Sequence, residues 1–153
     1  MEDISVPKIK KEVIVAFKDG GIIKKHQLTI FLNKLSEKRT GEQTIIELLN
    51  SVKQFVPSFV TNGEERFTII NLESVLYVQE IEELEEEIKE DEKMLSVQFI
   101  TGEKLKVVAH EDLPEYRSRT VDFLNGDHVF LTFVKDCKKI HINKTKINKV
   151  EIL

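Results

Sequence analysis

Cys137 and His141 stand four positions apart, a thiol and an imidazole of the kind that pair in nucleophilic catalysis. Both fall in a stretch that alternates like a strand, where four residues span about 13 Å. The two groups are therefore too far apart to share a proton. His110 precedes Glu111 and Asp112 in a polar segment before Pro114, an acid–base grouping by composition. A pocket holding His110, His128 or His141 beside a buried carboxylate would be the structural sign of an enzyme. No glycine-rich phosphate loop, paired-histidine motif or nucleophile elbow occurs. No catalytic residue, metal or cofactor is expected.

The second group able to recognise something is a run of lysines near the C-terminus: Lys135, Lys138, Lys139, Lys144, Lys146 and Lys149. Such a run fits a positive patch that tracks phosphates. It fits equally a solvated sheet edge whose lysines discourage strand pairing. Aromatic residues are not interleaved as a base-stacking platform needs, which favours the edge. Arg117 and Arg119 lie close to Asp122, and Arg119 is spaced to pair with Asp122 across one helical turn.

Composition bounds what these groups serve. The chain has 153 residues, 41% of them hydrophobic, enough for a core. The apolar run near the N-terminus, residues 13 to 17, is far shorter than a membrane span. One cysteine allows no internal disulfide, and with four scattered histidines it offers no metal-ligand spacing. A cytoplasmic protein is expected. Net charge is -4, yet residues 79 to 93 alone hold 9 acidic and 2 basic side chains. In that acidic segment Ile81, Leu84 and Ile88 have helical spacing, which predicts a short linker helix.

The segments on either side of the acidic run resemble each other in order. Val13, Val15, Phe17 and Gly20 match Leu95, Val97, Phe99 and Gly102 at an offset of 82. Glu47, Leu49, Asn50 and Phe55 match Asp122, Leu124, Asn125 and Phe130 at an offset of 75. Asn71, Val75 and Val78 match Asn143, Ile147 and Val150 at an offset of 72. Ordered blocks of this kind predict a tandem repeat.

Each copy reads as short alternating strands with turn signals at Asp19-Gly20, Asn62-Gly63, Thr101-Gly102 and Lys135-Asp136. A helical turn is expected in each copy at TIIELLN and TVDFLN, longer in the first, with Thr120 as a cap. Asn50, Asn71, Asn125 and Asn143 are expected at structural turns, with Asn71 and Asn143 bonding to backbone two residues on. Phe55, Phe59, Tyr77, Phe123, Phe130 and Phe133 are expected in the core.

Residues 94 to 153 resemble a family of short, uncharacterised bacterial domains through FITG, RTVDFLN, VFLTFV and INKTKI. The resemblance implies a barrel-like fold and no catalytic or binding residue. A looser similarity connects the strand, Asp-Gly turn and strand opening to Sm-like barrels. The first copy matches less well, with Thr44 at the Arg119 position and Leu72 at that of Lys144.

The expected architecture is mainly β: two tandem five-stranded barrels of the Sm or Src-homology-3 type, at residues 1–78 and 94–153, joined by an acidic helix at 79–93. The expected function is a non-enzymatic interaction or regulatory module whose partner is another protein or itself. A nucleic-acid-binding protein using the terminal lysines is the alternative.

Overall fold

The structure is a computed structural model that describes residues 8–19, 22–34, 42–51, 54–61, 66–84, 94–109 and 116–153. Gly20, Asn62, Gly63, Ile88, His110, Glu111 and Asp112 lie outside the described residues, as do the side chains of Arg117 and Arg119.

The first half contributes β1 (Lys8–Asp19), β2 (Ile22–Asn33), α1 (Ile45–Ser51), β3 (Phe55–Val60), β4 (Arg66–Asn71) and β5 (Val75–Glu83). From the second half come β6 (Met94–Phe99), β7 (Lys104–Ala109), α2 (Tyr116–Leu124), β8 (Phe130–Lys135), β9 (Lys138–Asn143) and β10 (Ile147–Ile152). All ten strands join one antiparallel sheet in the order β10-β6-β7-β8-β9-β5-β1-β2-β3-β4. The expectation of two tandem, partly open five-stranded barrels is thereby overturned. Closing a five-stranded barrel requires its two edge strands to find each other. Here the outer edge of β9 pairs with β5 of the other half, at Tyr77↔Ile142, Val78↔His141 and Gln79↔Ile140. One continuous, open sheet results.

Within that sheet both halves repeat one order and one register. Val15 opposes Val78 as Val97 opposes Val150, and Phe55 opposes Asn71 as Phe130 opposes Asn143. Even the irregularity recurs, with Leu76 and Asn148 each left as the extra residue beside β1 and β6. A bulge of this kind bends the strand and increases its twist.

Local chemistry accounts for the elements. Thr44 and Glu47 form a capping box at the start of α1: Thr44 N donates to Glu47 Oε1 at 3.0 Å and Glu47 N to Thr44 Oγ1 at 3.3 Å. Asn71 and Asn143 each accept a bond from the backbone two residues on, Glu73 N and Thr145 N, both at 3.1 Å. Each thereby starts a 3-10 turn, Leu72–Ser74 or Lys144–Lys146. The β8–β9 turn places Asp136 and Cys137 at φ 54 and 61, the pair of left-handed residues a two-residue hairpin turn demands.

Three expectations about helices are corrected. Residues 79–83 extend β5, because β1 and β9 supply ladder partners on both sides, at Val13↔Glu80 and Glu83↔Lys138. Among the described residues the helix is longer in the second half, nine residues against seven. Thr120 lies inside α2 and is buried.

Two apolar clusters fill the fold. One gathers β1, β2, β3, β5 and α1 but includes Phe130 from the second half. The other gathers β6 to β10 but includes Ala16, Leu76 and Tyr77 from the first. Each half thus completes the core of the other, which stabilises a chain whose halves alone would bury only about 60% of their unfolded surface. No helix among the described residues is long and apolar enough to cross a membrane.

Candidate interaction surface

The seam between the halves brings polar groups together. His141 on β9 lies in a row with Thr132 on β8 and Glu80 on β5. Its Nδ1 is 2.8 Å from Thr132 Oγ1 and its Nε2 is 2.6 Å from Glu80 Oε2. Hydroxyl, imidazole and carboxylate in line resemble a catalytic relay in composition. Yet His141 is 1% exposed with both ring nitrogens bonded, so the row joins three strands. A cavity lies elsewhere, a void of about 10 Å³ lined by aliphatic side chains including Val13, Leu48 and Val75, with room for about one water.

Two asparagines complete the seam. Asn50, near the end of α1, donates from Nδ2 to Phe130 O at 3.1 Å and accepts from Phe130 N at 2.9 Å. It reads the backbone of β8 beyond the short β7–β8 ladder, which among the described residues holds Val108↔Val134 and Ala109↔Phe133. Asn143 is buried and donates to Val75 O at 3.0 Å and Leu72 O at 3.3 Å. Both bonds cross from one half to the other. No sequence signal marked Asn50 or Asn143 as bridges, because both bonds link residues more than sixty positions apart.

The lysines do not form one patch. Lys135 opposes Lys138 beside the β8–β9 turn, with Lys139 next to it. Lys144 and Lys146 occupy the 3-10 turn at the other end of β9, about 20 Å along the strand. Lys144 Nζ donates to Gly126 O. Lys149 lies on β10 three residues beyond Lys146, on the side of that turn rather than of the β8–β9 turn. Asn125 follows α2 and is exposed. Cys137 is exposed on its turn and His128 is exposed before β8. Among the described residues, no group of three or more His, Cys, Asp or Glu side chains is placed to hold a metal ion.

The largest departure from expectation is on the opposite edge. Phe55 and Phe59 are not core residues: Phe55 is 56% exposed and Phe59 partly exposed. On β4, Phe67 is 59% and Ile69 61% exposed. Ladder pairing puts Phe59 beside Phe67 and Pro57 beside Ile69 on one face. Edge-to-face stacking continues this face onto β2, with Phe31–Phe59 centroids 5.6 Å apart and Phe59–Phe67 5.5 Å apart. A contiguous exposed apolar face of this kind marks interaction sites on soluble proteins. It lies against an edge strand, and among the described residues nothing pairs with the outer side of β4. A strand pattern in the sequence does not say which face is covered.

Comparison of the chain with protein-family models, with curated proteins and with solved structures returns no match.

Proposed function

We propose that this protein is a cytoplasmic, non-enzymatic interaction module that engages a protein partner through the β3–β4 face. The exposed Phe55, Phe67 and Ile69 beside an unpaired strand edge carry the reading. Such an edge offers backbone hydrogen bonds, and the neighbouring apolar side chains supply buried area and selectivity. A non-enzymatic role is supported by the burial and double bonding of His141, the only imidazole found beside a carboxylate among the described residues. Separation of the lysines into distant groups leaves the nucleic-acid alternative without a continuous charged track.

Affinity recovery of the tagged protein from its own cells, compared with a Phe67→Ser/Ile69→Lys variant, tests the reading. A protein, either another chain or untagged copies of this one, should be recovered by the first and lost from the second. Recovery of the same set by both would overturn it.

A further inference from the structure

The repeat makes the seam a template for a second contact. From the in-chain junction, where β9 pairs with β5, we infer that the β3–β4 face takes the β10 edge of a second copy of this chain, head to tail. This deepens the proposed function and rests on it.

Each half has the same two sides. On one side are its third and fourth strands, β8 and β9 in the second half. On the other are its helix and last strand, α1 and β5 in the first. Inside the chain these two sides meet. At the ends of the sheet their counterparts, β3–β4 and α2–β10, are both left over among the described residues.

Burial follows this division. Phe130 is 2% exposed because the first half covers it, whereas its counterpart Phe55 is exposed. His141 is buried at the seam and its counterpart Ile69 is exposed. Asn50 holds the Phe130 backbone, and its counterpart Asn125 is exposed at the end of α2. Asn143 donates across the seam to Leu72 and Val75 carbonyls. Its counterpart Asn71 lies on β4, where Lys144 and Ile147 carbonyls of another copy would be the matching acceptors.

Transferring the register Tyr77↔Ile142, Val78↔His141 and Gln79↔Ile140 by the offset of 72 gives Lys149↔Ile70, Val150↔Ile69 and Glu151↔Thr68 between copies. The pair Glu80–His141 becomes Ile152–Ile69. A hydrogen-bonded polar pair is replaced by an apolar one at both positions together, which keeps the contact complementary without leaving one polar group unpaired. Leu76 and Tyr77, buried at the seam, become Asn148 and Lys149, both exposed in the single chain. The contact between copies is thus more polar than the one within the chain, and reversible. A head-to-tail contact presents a fresh copy of each edge after every addition, so it builds rings or filaments.

Mixing two blocked variants tests this. Phe55→Ser/Ile69→Lys blocks the β4 edge, and Asn125→Arg/Ile152→Lys blocks the β10 edge. Circular dichroism first establishes that each retains the wild-type strand signal. Native mass spectrometry and light scattering are then read from about 1 μM to about 500 μM, a range that brackets micromolar contacts. The wild-type chain should pass from monomer to higher oligomers as concentration rises. Each blocked variant should stay monomeric, and an equimolar mixture should give a 1:1 dimer and nothing larger. A wild-type monomer throughout, association of a singly blocked variant with itself, or a mixture that forms no dimer would overturn the inference. If the wild type is monomeric while the β3–β4 variant still loses a cellular partner, self-assembly fails and the interaction surface survives.

Discussion

The β8–β9 face and the β3–β4 face occupy the same place in the two halves, yet one is interior and the other is surface. Phe130 and Phe55 share a residue type, a position and a ladder register, and differ only in whether another half lies against them. Burial in this molecule is therefore decided by position along the sheet rather than by the repeat itself. The residues have adapted where they stand in the seam: His141 and Thr132 make polar bonds across strands there. At the open edge the corresponding Ile69 and Pro57 are apolar.

Truncation separates the two faces most sharply. Phe130→Ala should cost about 3–5 kcal/mol, because it empties a packed site shared by both halves, while Phe55→Ala should stay within about 0.5 kcal/mol for the single chain. Urea unfolding at low protein concentration checks both; equal losses would break the comparison. Asn50→Ala should cost about 1–3 kcal/mol by leaving the Phe130 N–H and carbonyl without their side-chain partner. Asn125→Ala should change the stability of the single chain by less than about 0.5 kcal/mol.

Converting the seam to its open-edge chemistry sharpens the comparison further. His141→Ile alone should destabilise by about 1–3 kcal/mol, since Thr132 and Glu80 lose their shared partner. Glu80→Ile in the same chain should recover most of that loss, because replacing both members of a buried pair is often neutral. A double variant no more stable than the single one would show that the Ile69–Ile152 analogy does not hold.

The smallest expected effect concerns Tyr77, buried at the seam, with Lys25 Nζ 5.9 Å from its ring centroid. Burial pushes its phenol up, against the opposing pull of Lys25, and Lys25 is itself raised by Tyr77. A group raised on folding contributes stability below its unfolded value and loses it as pH rises through the folded one. Thermal stability should therefore fall above about pH 10, the unfolded phenol value, and Tyr77→Phe should make that fall shallower.

The ordered offsets 82, 75 and 72 were legible in the sequence and correspond to matched ladder registers. What could not be read was which strand satisfies each free edge. Alternation assigns side chains to faces, whereas pairing is made by backbone groups that every residue carries alike. The sequence does carry one signal of it: Val75, Leu76, Tyr77 and Val78 are continuously apolar, as strands covered on both faces are. That run marks β5 as central. Over residues 79–83 the helical spacing that begins at Ile81 gives way to ladder pairing with β1 and β9, since a few apolar residues in an acidic run satisfy a helix template while tertiary pairing overrides it. The exposed Phe55 and Phe67 were unreadable for the complementary reason, since residue type alone does not reveal whether a neighbour exists.

The long reach of β5 also has a consequence in time. Its second partner, β9, is synthesised about sixty residues later, an interval of about 3–12 s at ordinary translation rates. During that interval the described strands of the first half leave two edges without a ladder partner, at β4 and at β5. On a crowded polysome the β9 of a neighbouring chain reaches the same vacancy, with the same bonds to make. Nascent chains of this protein thus run a race between completing themselves and exchanging strands.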